Sequence, residues 1–262
     1  MVETPDVKTF RLIFQDRKIK RSFSFKPGQF GKYSVFGEGE STFYLASPPT
    51  RKGYLECSVK RAGKVTEALH NLDIGDRIGF RGPYGNWFPI EELGGKNLIL
   101  IGGGIGLAPL RSLIWYCLDF RNCFGQITIL YGATSVADLI YKRELEEWAK
   151  RRDINLIRTV DQGGDAPGWD GRIGFVPMIM KEIDLSPERA LAITCGPPVM
   201  VKFVIEGLIS LGFSPGQIIT TLEMKIRCGL GKCGRCNIGK HYVCQDGPVF
   251  TYAQIGEFPN EF

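Results

Sequence analysis

The sequence predicts three units in series: an antiparallel β-barrel over residues 1–92, a doubly wound parallel-sheet α/β domain over 96–222, and a small C-terminal cysteine module over 223–262. Three observations carry this. Short alternating apolar runs, punctuated by Gly and Pro, fill the first third. A continuous apolar run, Asn97-Leu-Ile-Leu-Ile101, meets Gly102-Gly-Gly-Ile-Gly106 and then a helical stretch. Four of the eight cysteines crowd near the end of the chain.

In the first unit, Lys8-Thr-Phe-Arg-Leu-Ile-Phe14, Tyr33-Ser-Val-Phe36 and Tyr54-Leu-Glu-Cys-Ser-Val-Lys60 alternate apolar and polar residues, which is the period of a half-buried strand. Pro27-Gly28, Gly37-Glu-Gly39, Pro48-Pro49 and Lys52-Gly53 mark the turns. One helical segment, Gly63-Lys-Val-Thr-Glu-Ala-Leu69, interrupts them, with Thr66 expected to cap its first turn. A helix start beside glycine suits a phosphate. A plain connecting helix explains the same residues equally well.

Asn97–Ile101 reads as a strand buried on both faces, followed by a glycine loop and a helix to about Phe120. Strand, glycine loop and helix together form the arrangement that seats a dinucleotide pyrophosphate. Alternation then continues. Strands are expected at Ile127–Tyr131, Asn155–Val160, Ala190–Thr194 and Ile218–Leu222. Helices are expected from Ala137 to about Lys150, from Val176 to Ile183, and after Cys195-Gly196-Pro197-Pro198 through Ser210. In such sheets ligands sit at the carboxyl ends of the strands, where Gly102–Gly106, Tyr131-Gly132 and Cys195-Gly196-Pro197 fall. Cys195 reads either as a small buried hydrophobe or as a contact to a nicotinamide ring. Cys57, Cys117 and Cys123 read as packing residues.

Cys228, Cys233, Cys236 and Cys244 have the spacing C-x4-C-x2-C-x7-C, whose first three positions match the plant-type iron–sulfur run. Gly229, Gly231 and Gly234 leave backbone free to wrap a compact cluster and aim amides at sulfur. A zinc-stapled module is the competing reading, although zinc sites more often pair C-x2-4-C units set well apart. His241, between cluster cysteines, reads as a surface residue.

Hydrophobic content of 44% and charged content of 23% are those of a globular protein. The net charge of +5 is mild, and Lys and Arg are spread along the chain, so no nucleic-acid surface is expected. No apolar run reaches the ~18 residues needed for a membrane span. The first residues carry no targeting pattern, and a cytoplasmic, reducing setting is expected.

The order barrel, dinucleotide domain, cysteine module resembles the iron–sulfur branch of the ferredoxin–NAD(P)+ reductase superfamily. That branch includes hydrogenase and sulfhydrogenase gamma subunits, the electron-transfer subunit of dihydroorotate dehydrogenase B and the flavin subunit of anaerobic sulfite reductase. The resemblance rests on Gly63-Lys-Val-Thr66, Gly82-Pro-Tyr-Gly85, Gly102–Pro109, Cys195-Gly-Pro-Pro198 and the four cysteines, and it covers nearly the whole chain. The run His241–Phe250 looks most like the hydrogenase gamma type.

The resemblance implies FAD in the barrel, NAD(P)H as substrate of the α/β domain and a [2Fe–2S] cluster on Cys228, Cys233, Cys236 and Cys244. It places Phe43, Tyr44, Leu45, Ala46 and Ser47 along the flavin ring, and Lys60, Gly63, Lys64, Val65 and Thr66 near the FAD pyrophosphate. It gives Gly103, Gly104, Ile105, Gly106, Pro109, Thr134, Cys195, Gly196 and Pro197 to the nicotinamide nucleotide. The superfamily's R-x-Y-[ST] flavin motif falls on Ser41-Thr-Phe-Tyr44, which has no arginine; Arg51, Lys60 and Arg61 are the cations available instead. Thr134, Ser135, Lys142 and Arg143 are those near the adenine ribose. No side-chain acid or base is expected, with Ser47 and Cys195 beside the reacting rings. The implied role is hydride exchange between NAD(P)H and FAD, with single electrons relayed to or from a partner subunit carrying further iron–sulfur centres. A hydrogenase is the implied partner, with dihydroorotate-oxidising and sulfite-reducing partners as alternatives.

Overall fold

The computed structural model describes residues 1–259. The chain opens with β1 (Val7–Leu12), α1 (Arg17–Ser22), β2 (Phe30–Val35), β3 (Gly39–Tyr44), β4 (Leu55–Lys60), α2 (Lys64–His70) and β5 (Gly79–Tyr84). The strands form two antiparallel ladders, β3-β2-β5 and β1-β4. Both close on one core of Tyr33, Val35, Leu45, Leu55, Cys57, Val59 and Leu69. Alternation along β1 turns Phe10 and Leu12 toward this core and puts Val7, Thr9 and Arg11 on the other face, where Val7 joins the core of the α/β part and the Thr9 hydroxyl meets that of Ser58. The sequence reading missed α1, a single basic turn capped by Asp16, whose carboxylate accepts from the Lys18 and Ile19 amides. No apolar stripe announces it, because none of its residues is buried.

The α/β part follows as β6 (Asn97–Gly103), α3 (Leu107–Asp119), β7 (Ile127–Ala133), α4 (Lys142–Ala149), β8 (Asn155–Val160), β9 (Arg172–Ile173), α5 (Val176–Lys181), β10 (Ala190–Cys195), α6 (Pro198–Ser210) and β11 (Ile218–Thr221). Its continuous apolar strands serve two cores. Leu98 and Leu100 of β6 join the core beneath α3 and α4, while Ile99 and Ile101 join the core beneath α5 and α6. Period-two geometry with both faces covered requires this pattern. The helix expected from Ala137 begins only at Lys142. Leu139, Ile140 and Tyr141 are buried ahead of it in irregular chain, and Tyr141 takes a left-handed φ of 56°.

The tail adds β12 (Asn237–Ile238), β13 (His241–Tyr242), α7 (Val243–Asp246), β14 (Val249–Thr251) and α8 (Tyr252–Ile255). β14 pairs antiparallel with β11, so the seven-stranded sheet has the order β14-β11-β10-β6-β7-β8-β9. The tail therefore returns to the nucleotide sheet after leaving it at Thr221. The order in which successive strands are added reverses between the parallel strands β6 and β10, where Gly102 lies opposite Cys195. This is the switch point at which such sheets bind ligands.

Candidate functional site

A cavity of about 890 Å³ opens at this switch point. Gly103, Gly104, Ile105, Gly106, Thr134, Gly196 and Pro197 all line it. Gly106 packs so closely against the β10 turn that an added Cβ would sit 2.4 Å from the Cys195 carbonyl oxygen. Glycine is therefore required there by space. The opposite wall, which sequence reasoning missed, is apolar: Phe175, Met178, Val199, Met200 and Phe203. Four of these are exposed large hydrophobics (Phe175, Met178, Val199 and Phe203), and their chain positions in two separate segments gave no joint signal. Lys142 is spent elsewhere, donating to the Ala137 and Leu139 carbonyls, and Ser135 donates to Asp138.

A second cavity of about 320 Å³ lies between the barrel and the α/β part. Phe43, Tyr44, Lys60 and Thr66 line it, and so does Pro109, which sequence reasoning had given to the nucleotide. Lys60, Ile105 and Glu223 border both cavities, so the two spaces meet. The Thr42 hydroxyl also lines the smaller cavity and is buried without a hydrogen-bond partner. An orphaned donor of this kind fits a polar ligand. Leu45, Ala46 and Ser47 are fully buried beneath the cavity, and the Ser47 hydroxyl accepts the Glu56 amide at 3.1 Å. Thr66 does not cap α2 from outside. It lies in the first turn and accepts from the Ala62 and Gly63 amides. The Lys64, Val65 and Thr66 amides keep no partner among the described residues. Arg51 pairs with Asp119 and stacks on Trp115, Arg61 pairs with Glu67, and neither lines the cavity; Lys60 lines it while its ammonium pairs with Asp6 at 3.3 Å.

Cys195 is 1% exposed and lines neither cavity directly. Its thiol accepts from the Thr221 hydroxyl at 3.4 Å, and burial pushes its pKa up to about 12, so it stays a neutral thiol. Glu223 opens to the shared cavity, yet the protein packed around it displaces enough water to raise its carboxyl above the usual range. Cys123, expected to pack, is exposed at the end of the turn after α3.

Beyond Glu223 the chain runs straight into the cysteines. Leu222, Met224 and Ile226 border the smaller cavity, and the same side chains pack with Cys228, Cys236 and Cys244 in one apolar cluster that also holds Phe30 and Tyr44. Two polar anchors fix this segment to the barrel. Buried Lys32 donates to the Arg227 carbonyl at 2.6 Å, and Asn86 exchanges hydrogen bonds with Asp246, Gly247 and Val249. Within the loop, the Leu230 and Lys232 amides point at the Cys228 sulfur and the Gly231 amide at the Cys244 sulfur, at 3.1–3.4 Å. Positive φ at Gly229, Gly231 and Gly234 makes those directions accessible. The Leu230 amide draws the Cys228 thiol down to about 6, whereas burial pushes Cys244 up to about 12. Among the described residues no three His, Cys, Asp or Glu side chains converge as ligands of a single ion would. His241 lies 3.9 Å from Asp246 and faces away into Phe258.

A buried ion-pair network joins the two cofactor-sized cavities from behind. Arg111 of α3 donates to Glu56 of β4 at 2.7 Å, to the Ala46 carbonyl at 2.8 Å and to Glu144 of α4 at 2.5 and 2.7 Å. It thus ties the Ala46-Ser47 turn of the barrel to the α/β part.

Three family descriptions match in chain order. They are the oxidoreductase FAD-binding domain at residues 2–88, the oxidoreductase NAD-binding domain at 100–206, and the iron–sulfur cluster binding domain of dihydroorotate dehydrogenase B at 223–256. The chain is 40% identical to sulfhydrogenase 1 subunit gamma of Pyrococcus furiosus, over 98% of this chain and 89% of that one. It is 34% identical to a probable dihydroorotate dehydrogenase B electron transfer subunit of Methanocaldococcus jannaschii, over 99% and 89%. The fold superposes on a solved NADH-dependent reduced ferredoxin-NADP oxidoreductase with a TM-score of 0.77 at 24% identity, over 99% of this chain and 87% of that one. Barrel, nucleotide sheet and cysteine module, together with these relatives, place the chain in the family of ferredoxin–NADP reductase-like FAD- and NAD-binding oxidoreductases that carry an iron–sulfur cluster binding domain of the dihydroorotate dehydrogenase B type.

Proposed function

We propose that this chain exchanges a hydride between NAD(P)H, held in the 890 Å³ cavity, and FAD, held at the 320 Å³ cavity. It then relays single electrons through a [2Fe–2S] cluster on Cys228, Cys233, Cys236 and Cys244 to or from a partner subunit in the cytoplasm. A hydrogenase or sulfhydrogenase is the partner class favoured by the 40% identical relative. The observation that carries this reading is the shared apolar cluster, which packs three of the thiols directly against residues that line the flavin-sized cavity. When bound, FAD supplies the conversion between two-electron and one-electron chemistry, and the cluster supplies a one-electron exit.

The chain's own residues do the placing. Lys60 stands as the cation for the FAD pyrophosphate in place of the missing arginine, with the Lys64 and Val65 amides and the Thr42 hydroxyl as further donors. Gly103–Gly106 and Gly196-Pro197 let backbone approach the nicotinamide nucleotide closely. The apolar Ile105, which borders both cavities, keeps water from their meeting point. The C-x4-C-x2-C spacing, with loop amides aimed at the Cys228 and Cys244 sulfurs, supports a two-iron cluster. The residue ranges 1–92, 96–222 and 223–262 serve as the FAD, NAD(P) and cluster units, the last anchored on the nucleotide sheet through β14.

The test is an anaerobic visible spectrum of the purified chain, with NADH and then NADPH added, beside direct assays of flavin and iron. Bleaching of flavin and cluster bands by one nucleotide supports the reading and selects that nucleotide. Colourless protein that contains zinc and releases no flavin overturns it. Cys236→Ser is expected to keep nucleotide-driven flavin bleaching and to lose delivery to the partner.

A further inference from the structure

We infer that the face around the cysteine loop is a positively charged docking surface, built for a protein partner that presents acidic residues around its own electron-accepting centre. The inference rests on the proposed function, since it takes the cysteine loop as the electron exit. Residues Lys225 to Lys240 contain Lys225, Arg227, Lys232, Arg235 and Lys240 and no Asp or Glu. These five positive charges equal the formal excess of +5 for the whole chain, so the rest of the sequence is balanced. The spread of basic residues read from composition therefore conceals local concentrations, this one on the cysteine loop and another over residues 17–26 of the barrel.

All five side chains are exposed, and none is paired with a carboxylate among the described residues. In the barrel Lys60 is matched with Asp6, Lys64 with Glu38, and Arg81 and Lys32 with Glu40, while the α1 turn holds a second unpaired group, Arg17, Lys18, Lys20 and Arg21, far from any cluster cysteine in sequence. Lys225 and Arg235 flank a surface cleft of about 610 Å³ beside Met224 and Glu223. Cys233 is exposed at the centre of this charge, and Leu230, 52% exposed, stands beside it as an apolar contact. An apolar centre within a charged rim is the anatomy of a transient protein interface. Unpaired charge of one sign raises the encounter rate with a partner of the opposite sign by about 10- to 1,000-fold, and salt abolishes the gain. Holding five unpaired cations around a metal-site loop serves this purpose and no packing role.

The test uses the holoprotein and two defined one-electron acceptors, an acidic [2Fe–2S] ferredoxin and a basic cytochrome c, with NAD(P)H as donor. The initial rate is followed as ionic strength is raised from about 0.01 M to 1 M, over which the screening length falls from about 30 Å to about 3 Å. For the wild-type chain, ferredoxin reduction is expected to slow with salt and cytochrome c reduction to quicken. Lys232→Glu with Arg235→Glu is expected to slow ferredoxin reduction about 10-fold at low salt and to invert both salt trends. Lys225→Glu with Lys240→Glu, not adjacent to any thiol, is expected to do the same more weakly. Arg17→Glu with Lys20→Glu, in the basic turn on the barrel, is expected to leave both acceptors unchanged. Identical salt trends for the two acceptors, or equal effects of the loop and barrel reversals, overturn the docking surface. If NAD(P)H fails to bleach the wild-type flavin, the functional reading falls instead. Intact bleaching with acceptor rates blind to charge sinks the docking surface alone.

Discussion

Replacing Gly106 by alanine should damage hydride transfer through geometry alone. The new Cβ would lie 2.4 Å from the Cys195 carbonyl oxygen and 2.6 Å from the Gly196 Cα, where ordinary contact begins near 3.4 Å. Both neighbours are backbone, so no side chain can swing away. Either the glycine loop or the Cys195–Pro197 turn must move by about 1 Å, and both border the larger cavity. Misplacing a bound reactant by ~1 Å costs on the order of 100-fold in rate, or about 2.7 kcal/mol of barrier. The assay is anaerobic stopped-flow bleaching of the bound flavin against nucleotide concentration, read as kcat/KM. Gly168→Ala is the control. Gly168 lines neither cavity and its added Cβ meets no atom within 4 Å, but it carries a φ of +82°, so the change should cost about 1–2 kcal/mol of stability with little effect on hydride transfer. If Gly106→Ala keeps kcat/KM within about threefold of wild type, the close-approach argument is wrong.

Other perturbations follow from the same structure. Arg111→Met leaves Glu56 and Glu144 buried without their main counter-charge, a loss of about 3–5 kcal/mol that should lower the thermal midpoint by about 10 °C; a change within ~2 °C would show that the network does not hold the two parts together. Glu40 is held down to about 2, first by its hydrogen bonds from Arg81 and also by Lys32, against 4.5 for a free carboxyl. Its folded pKa is depressed, so its contribution, on the order of 2 kcal/mol, is present above pH ~4.5 and disappears as pH falls toward 2. Because Lys32 also anchors Arg227, acid titration should loosen the cysteine segment before the nucleotide sheet melts, and Glu40→Gln should remove that early phase in hydrogen exchange. Cys195, pushed up to about 12 by burial, should resist alkylation at mildly alkaline pH in the native protein while exposed Cys123 reacts, as mass spectrometry would read.

The cysteine spacing, the glycine loop after β6 and the apolar strands were legible in sequence because each is a local pattern with a physical period or ligand geometry. Gly103–Gly106 and Gly196-Pro197 meet at one cavity, since both follow strands of a single parallel sheet. Pro109, grouped with them in sequence, opens α3 one turn past the glycine loop, and the helix carries it to the barrel-facing cavity. Thr66 caps the first turn of α2 from within it, a position that a hydroxyl near a helix start does not reveal in sequence. Asn86 and Lys32 carried no signal, since their partners lie about 160 and 195 residues away. The start of α4 was misplaced because Leu139 and Ile140 have helical spacing but are buried in irregular chain.

The sequence by itself determined the order of the units, the parallel sheet and the four thiols, because apolar period, glycine freedom and ligand spacing act over a few residues. Only the tertiary structure decided that the tail returns through β14 to the nucleotide sheet, and that Lys60, Ile105 and Glu223 border both cavities. It also decided that three of the thiols pack against the flavin-sized cavity and that five exposed cations gather around them. Those facts depend on which distant segments share one buried surface, and burial is a property of the folded chain that no local stretch encodes.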